Sequence, residues 1–202
     1  MDDENAPPPE DPQTEFAFAV LFTGFLGIVG LGLGILLNAP VQSYTQWSLN
    51  DILIGIIATL PLAAFLFWFT KSDFGPFIRL RQSQIDLFAQ SSIKFTPARI
   101  IALSLAAGIG EEMLFRGFLQ NWLSGFAPPI VAILIASLVL GLLHARTALY
   151  AVIATAIGVY LGVLYVATGS LLTPITTHAV YDWIAFEYIR RFLDDHPAHN
   201  TQ

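Results

Sequence analysis

The sequence predicts an all-α, polytopic membrane helix bundle of about six transmembrane helices with both termini cytoplasmic, on three observations. Of 202 residues, 55% are hydrophobic and 12% are charged, whereas a soluble domain carries about 25% charged residues. Runs of about 20 apolar residues, the length that crosses a hydrocarbon core about 30 Å thick, recur along the chain. Lys and Arg collect in alternate connections between those runs, as they do on the cytoplasmic side of membrane proteins.

Residues 1–15 carry Asp2, Asp3, Glu4, Glu10, Asp11 and Glu15, three consecutive prolines and almost no apolar side chain. Such a segment cannot bury a core and is expected to be a disordered acidic tail. It supplies most of the net charge of −6, which argues against nucleic acid as a partner. No signal or transit peptide is read, because the first apolar run follows an acidic leader and not a basic one. The absence of cysteine excludes disulfides, thiolate zinc sites and a cysteine nucleophile.

Residues 16–70 hold two expected spans. Phe16 to Leu37 is 22 residues without a charge, and its glycines, Gly24, Gly27, Gly30, Gly32 and Gly34, suit close helix packing better than a phosphate loop, since no lysine follows. A connection from Asn38 to Ser48 contains Tyr44 and Trp47, aromatics typical of a membrane interface. The second span runs from Leu49 to Thr70, with Asp51 near its start and a kink expected at Pro61. Residues 71–96 form a basic cytoplasmic connection, in which Ile78, Leu80, Ile85, Leu87 and Phe88 suggest a helix lying on the membrane surface.

Residues 97–191 carry four further spans: Pro97 to Trp122, Ile130 to about Ala145, Ala148 to Ala167 and Leu171 to Ile189. Gly158-x-x-x-Gly162 offers close packing in the third of these. Residues 192–202 are a polar tail in which His196 and His199 are expected to be solvated. With the N-terminus inside, Lys71, Arg79, Arg81, Lys94, Arg99, Arg146, Arg190 and Arg191 all fall on the cytoplasmic side, and of the nine cations only Arg116 does not.

Arg116 belongs to Glu111-Glu112-Met113-Leu114-Phe115-Arg116, a charged knot inside an apolar run. An ionisable side chain at a bilayer centre costs roughly 2.5–3.5 kcal/mol, so its retention calls for a reason. On a helix Glu112 and Arg116 are i and i+4 and pair well, while Glu111 lies about 100° round the axis. One glutamate is then paired and its neighbour left to titrate. Two carboxylates this close in a low-dielectric site is how a general base working near neutrality is made. The competing reading is a buried Glu–Arg clasp that only fixes helix packing.

His144 ends the fourth apolar run, and His178 and Asp182 share one face of the sixth, at i and i+4. Each alone could be an ordinary polar seam between helices. Together, Glu111, Glu112, Arg116, His144, His178 and Asp182 come from three helices and avoid lipid best by facing one shared cavity. His144 sits two residues from Arg146, while His178 lies deeper in its span; tilt, a fourth helix continuing towards Tyr150, or a broad cavity open to the cytoplasm would bring the two level.

Glu111-Glu112-x-x-x-Arg116, then Leu140-x-x-x-His144, then His178-x-x-x-Asp182, in series on successive apolar helices, resembles the CPBP family of intramembrane proteases. That family groups the type II CAAX prenyl endopeptidases with bacterial Abi and bacteriocin-processing or self-immunity proteins. The resemblance covers Pro97 to Arg191, about half the chain, and implies a glutamic endopeptidase that cuts peptide bonds near the membrane. It implies that Glu111 and His144 activate a water, that His178 and Asp182 hold the oxyanion, and that Glu112 and Arg116 order the site. The expected partners are a membrane-proximal protein or peptide substrate and the lipid bilayer, and the expected location is the inner membrane of a bacterium.

Two positions depart from the family pattern. Leu140 stands where Phe is common. Asp182 stands where the prenyl endopeptidases have Asn, and an ionised carboxylate cannot donate to an oxyanion; either Asp182 is protonated or it orients His178. The resemblance implies no metal cofactor. Two histidines and a carboxylate could alternatively make a His2Glu zinc site with an open water position, although no His-Glu-x-x-His pattern is present. A non-catalytic immunity or scaffold protein, and a proton-coupled transporter, are rival readings of the same polar cluster.

Overall fold

The structure, a computed structural model, describes residues 11–39, 41 and 48–196. Tyr44, Trp47 and His199, together with the expected disorder of residues 1–10, lie outside the described residues. Helix α1 spans Pro12–Leu36 and so begins at Pro12, not Phe16. The local chemistry explains the earlier start: the Asp11 carboxylate accepts from the Gln13 amide and the Thr14 hydroxyl, and Pro12 occupies the first turn. Residues 11–15 thus form a cap and a first turn, and the expected tail does not extend through them.

Helix α2 is Leu49–Lys71, capped by Ser48 and helical through Pro61. The basic connection does form a helix, α3, Gly75–Gln90. It turns Leu80 and Ile85 into the bundle and leaves Ile78 and Leu87 exposed. Helix α4, Pro97–Glu112, starts at a Thr96 cap and runs directly into a π-helical segment, Met113–Gln120, and a last turn, α5, Asn121–Ser124. Helices α6 (Pro129–Leu143), α7 (Ala148–Thr168) and α8 (Leu172–Asp195) complete the chain, with no strand among the described residues. Gly169, at φ +65°, ends α7 in the left-handed conformation and opens the short turn into α8.

The packing is that of a membrane protein. Phe18, Leu21 and Phe25 on α1, Ile57, Leu60 and Phe67 on α2, Leu134, Leu138 and Leu142 on α6, and Val152 and Val166 on α7 all face outward. In water this belt would be one large exposed apolar patch; in lipid it is the solvated surface. By contrast Thr59, Ser104, Glu112, Arg116, Gln120, Ser137 and Thr177 are buried between helices. Helices α1, α2 and α7 are each long and apolar enough to cross a membrane. Helix α6, at 15 residues, reaches only about 22 Å.

Helix α1 packs on α4 and the π-helical segment, α2 and α4 pack on α8, and α6 packs on α7. Small residues set these approaches. A Cβ at Gly110 would collide with the Thr23 carbonyl of α1, and one at Gly30 would lie 2.9 Å from the Leu114 Cα. Gly34 also packs closely, against Ala39 and Val41, whereas Gly24 and Gly32 would give a Cβ only open space.

One end of the bundle is tied together by contacts among sequence-distant segments. Glu15 accepts from the Ser91 hydroxyl and the Ser92 amide, both at 2.8 Å, so the start of α1 clasps the loop before α4. The Arg99 guanidinium sits 4.9 Å above the Phe16 ring. Arg81 donates to the Phe69 and Thr70 carbonyls at the end of α2, and Phe88 of α3 packs on Phe186 of α8. The beginning of α1, the end of α2, α3, the beginning of α4 and the last third of α8 therefore share this end.

Candidate active site

Glu111 and Glu112 close α4, and the π-helical segment that follows carries Arg116. A continuous α-helix was expected from Pro97 to Trp122. The wider turn accompanies bonds to a neighbouring helix: Arg116 Nη2 donates to the Gly158 carbonyl over 2.8 Å and Gln120 Nε2 to the Gly162 carbonyl over 3.2 Å. π-Helical segments are rare and occur frequently at functional sites. Gly158 and Gly162 let α7 come this close, since a Cβ at Gly162 would lie 2.6 Å from Gln120 Oε1 and one at Gly158 would press on Ser137 of α6.

Glu112 and Arg116 are sealed from solvent. Glu112 Oε1 accepts from Arg116 Nη1 at 2.5 Å and faces His178 Nδ1 at 2.7 Å, so one carboxylate oxygen joins the π-helical segment to α8. Its other oxygen, Oε2, is buried with no hydrogen-bond partner among the described residues. Gly108 makes the junction possible: one turn before Glu112, a Cβ there would stand 2.8 Å from the Ala179 Cβ and 2.9 Å from the Ile175 carbonyl. His178 Nε2 points the other way, to Asp182 Oδ2 at 3.4 Å, along the same face of α8.

Glu111 is differently placed. Its Oε2 lies 3.9 Å from His144 Nε2, beyond a direct hydrogen bond. His144 caps α6 and its Nδ1 lies 2.9 Å from the Leu140 carbonyl. A carbonyl only accepts, so Nδ1 carries a proton, and in the neutral ring Nε2 is then the bare nitrogen facing Glu111. A water about 2.8 Å from each would fit between them. Helix α6 does not continue towards Tyr150; it stops at Leu143, short of a full span, so His144 reaches the level of Glu111 without a longer helix.

Glu111, His144, His178 and Asp182 line one cavity of about 180 Å³, with Tyr150 and Tyr181 beside them. From there the cavity extends along apolar side chains, Phe65, Phe69, Ile153, Ile157 and Phe186 among them, to Leu80, Arg81, Gln84 and Ile85 of α3. Glu112 and Arg116 stand behind the cavity wall and reach it through His178. Sequence reasoning had not placed Gln120, Tyr150, Tyr181 or the α3 residues at the site. The usable signal was weak: Gln120 repeats Arg116 at i+4, and Tyr150 follows His144 by less than two turns.

A zinc centre would need two histidine nitrogens and a carboxylate free to converge on one point. Both ring nitrogens of His178 face carboxylate oxygens, and among the described residues no group of three His, Asp or Glu side chains converges so as to hold a metal ion.

Fold and site together define a class: a helical membrane protein with a cavity between its helices that is lined by ionisable side chains. Residues 93–184 match the family described as type II CAAX prenyl endopeptidase Rce1-like. The uncharacterized protein YpbD of Bacillus subtilis (strain 168) is 32% identical over 170 residues, covering 76% of this chain and 79% of that protein. No solved structure matches the chain. The chain belongs to the Rce1-like type II CAAX prenyl endopeptidase family. Membership brings, in general terms, CAAX-type intramembrane endopeptidase activity.

Proposed function

We propose that the chain is a metal-independent intramembrane glutamic endopeptidase in which Glu111 and His144 activate the attacking water. The observation that carries this reading is the Glu111–His144 pair, 3.9 Å apart on the cavity wall, while Glu112 is committed to Arg116 and His178. The water donates one hydrogen bond to His144 Nε2 and gives its other proton to Glu111 as its oxygen bonds to the scissile carbonyl carbon. The carbonyl oxygen becomes an oxyanion beside His178, and Asp182 orients that ring. Glu111 then returns the proton to the departing amide nitrogen, the C–N bond breaks, and a carboxylic acid and an amine leave. Glu112 and Arg116 act through the His178 ring that they hold.

The substrate is a membrane-proximal peptide segment, and the apolar stretch of the cavity towards α3 suits a lipid-like or strongly apolar part of it. Residues 97–191 form the catalytic core, with residues 16–70 as flanking spans and 71–96 as a cytoplasmic cover. Both termini face the cytoplasm of a bacterium, and the chain crosses its inner membrane several times. Support for this orientation comes from the cations, since Lys71, Arg79, Arg81, Lys94 and Arg99 all lie near the end of the bundle clasped by Glu15.

The deciding experiment is cleavage of a lipid-proximal peptide library by purified wild type, Glu111→Gln and His144→Ala, each with and without a strong zinc chelator. Chelator-resistant cleavage lost in both variants is expected. Chelator-sensitive cleavage restored by zinc would overturn the mechanism, and silence from folded wild type across the library would favour a non-catalytic binding role.

A further inference from the structure

The site as read so far lacks a neutral hydrogen-bond donor for the oxyanion. Asp182, when ionised, only accepts. Glu111 and Glu112 are likewise acceptors, His178 Nδ1 is committed to Glu112, and His178 Nε2 faces Asp182 Oδ2 at 3.4 Å. The cavity wall does hold a neutral donor close to the water-activating pair. Tyr150 lies in the first turn of α7, where the Thr147 hydroxyl accepts from its amide. Its ring meets His144 edge-on, with centroids 6.0 Å apart and planes at 83°. It is within electrostatic reach of Asp182 and Glu111, and it lines the same cavity as all four ionisable side chains.

Among the described residues the Tyr150 hydroxyl has no hydrogen-bond partner. The contrast within α7 is informative, because Tyr160 spends its hydroxyl on the Ala58 carbonyl of α2. Tyr150 is half-buried, and a phenol that lines a reaction cavity with its hydroxyl unspent can give that hydroxyl to an acceptor arriving there. Tyr181 also lines the cavity, but its charged neighbour is Asp182 and it makes no ring contact with His144.

We propose that Tyr150 is a catalytic residue whose hydroxyl donates to the oxyanion of the tetrahedral intermediate, replacing the neutral donor that Asp182 cannot be. The inference rests on the proposed roles of Glu111 and His144. The proton stays on Tyr150 throughout; what changes is that its bond is made only after the carbonyl oxygen has become charged. Such a bond lowers the barrier and leaves substrate affinity unaltered.

The test is Tyr150→Phe, which keeps the ring against His144 and removes one oxygen. Turnover of a cleavable peptide should fall about 100-fold with KM unchanged, and affinity for a peptidyl phosphinate, a tetrahedral mimic, should fall in step. The thermal midpoint in micelles should match wild type, and Tyr181→Phe should change turnover less than about threefold. The fall should persist when Tyr150→Phe is made in an Asp182→Ala background. A wild-type kcat in folded Tyr150→Phe would overturn the proposal. So would disappearance of the effect in the Asp182→Ala background, since Tyr150 would then act only by positioning Asp182. Glu111→Gln run alongside separates the two readings: if it still turns over, the water-activating assignment fails as well; if it is dead while Tyr150→Phe is fully active, only this inference fails.

Discussion

His178 Nδ1 lies 2.7 Å from Glu112 Oε1, the same oxygen that receives Arg116, so the orientation of a cavity histidine is set by a carboxylate that does not itself line the cavity. On the proposed mechanism the two adjacent glutamates separate into a structural and a chemical member. Glu112→Ala would leave the Arg116 guanidinium buried without its carboxylate, a loss of about 3–5 kcal/mol. Glu111→Gln keeps the side chain's shape and removes a charge that has no direct hydrogen bond among the described residues, so it should cost far less than Glu112→Ala. Thermal unfolding in micelles should show a large drop for Glu112→Ala and a much smaller one for Glu111→Gln. Equal drops would refute the division of labour.

Arg116 serves two acceptors at once, Glu112 Oε1 through Nη1 and the Gly158 carbonyl through Nη2. A lysine has a single compact ammonium on a flexible stem and cannot hold that fork. Arg116→Lys should keep the charge yet cost about 1.5–3 kcal/mol, because one buried acceptor loses its donor. It should also lower kcat through His178. If Arg116→Lys unfolds at the wild-type temperature, the bond to Gly158 contributes nothing and the π-helical segment needs another explanation.

Local pairs were legible in the sequence and cross-helix pairs were not. Glu112 with Arg116, and His178 with Asp182, are i and i+4, a spacing that fixes a shared face before any tertiary structure exists. Which glutamate meets which histidine depends on helix rotation and depth, which one-dimensional periodicity does not contain. The same limit hid the π-helical segment, whose wide turn accompanies bonds to Gly158 and Gly162 some forty residues away. The end of α6 at Leu143 was legible, because the apolar run closes there and the span was expected to end at about Ala145, but nothing in that run marks the level of Glu111. Tyr150 and Gln120 were passed over because uncharged polar side chains near the ends of apolar runs look like ordinary interface residues. Glu15 was read as part of a solvated tail, whereas it clasps Ser91 and Ser92.

That clasp makes its own prediction. Glu15 accepts one hydroxyl and one amide from a loop that has no helical hydrogen bonds of its own. Glu15→Ala should cost about 1–2 kcal/mol, and the loss should be local, in the connection between α3 and α4. Limited proteolysis ought to cut between Gln90 and Thr96 faster in the variant, and amide exchange at Ser92 ought to rise. An unchanged cleavage rate there would mean that the loop is held by Arg99 and Phe88 and not by the glutamate.

The same chemical change at two glycines should have opposite signs. Gly108 faces α8 so closely that an added Cβ would lie 2.8 Å from the Ala179 Cβ and 2.9 Å from the Ile175 carbonyl, which is backbone and cannot turn aside. Gly108→Ala must push α4 and α8 apart at the turn before Glu112, costing about 1–3 kcal/mol through overpacking. It should also lengthen the Glu112–His178 bond on which the ring depends. At Gly32 of α1 an added Cβ would meet nothing within 4 Å, so Gly32→Ala should stabilise by about 0.5–1 kcal/mol through helix propensity alone. Unfolding midpoints and kcat for the pair separate the effects: Gly108→Ala should lose both stability and turnover, and Gly32→Ala should gain stability with turnover unchanged. A Gly108→Ala variant with wild-type kcat would show that the close approach of α4 to α8 does not position His178.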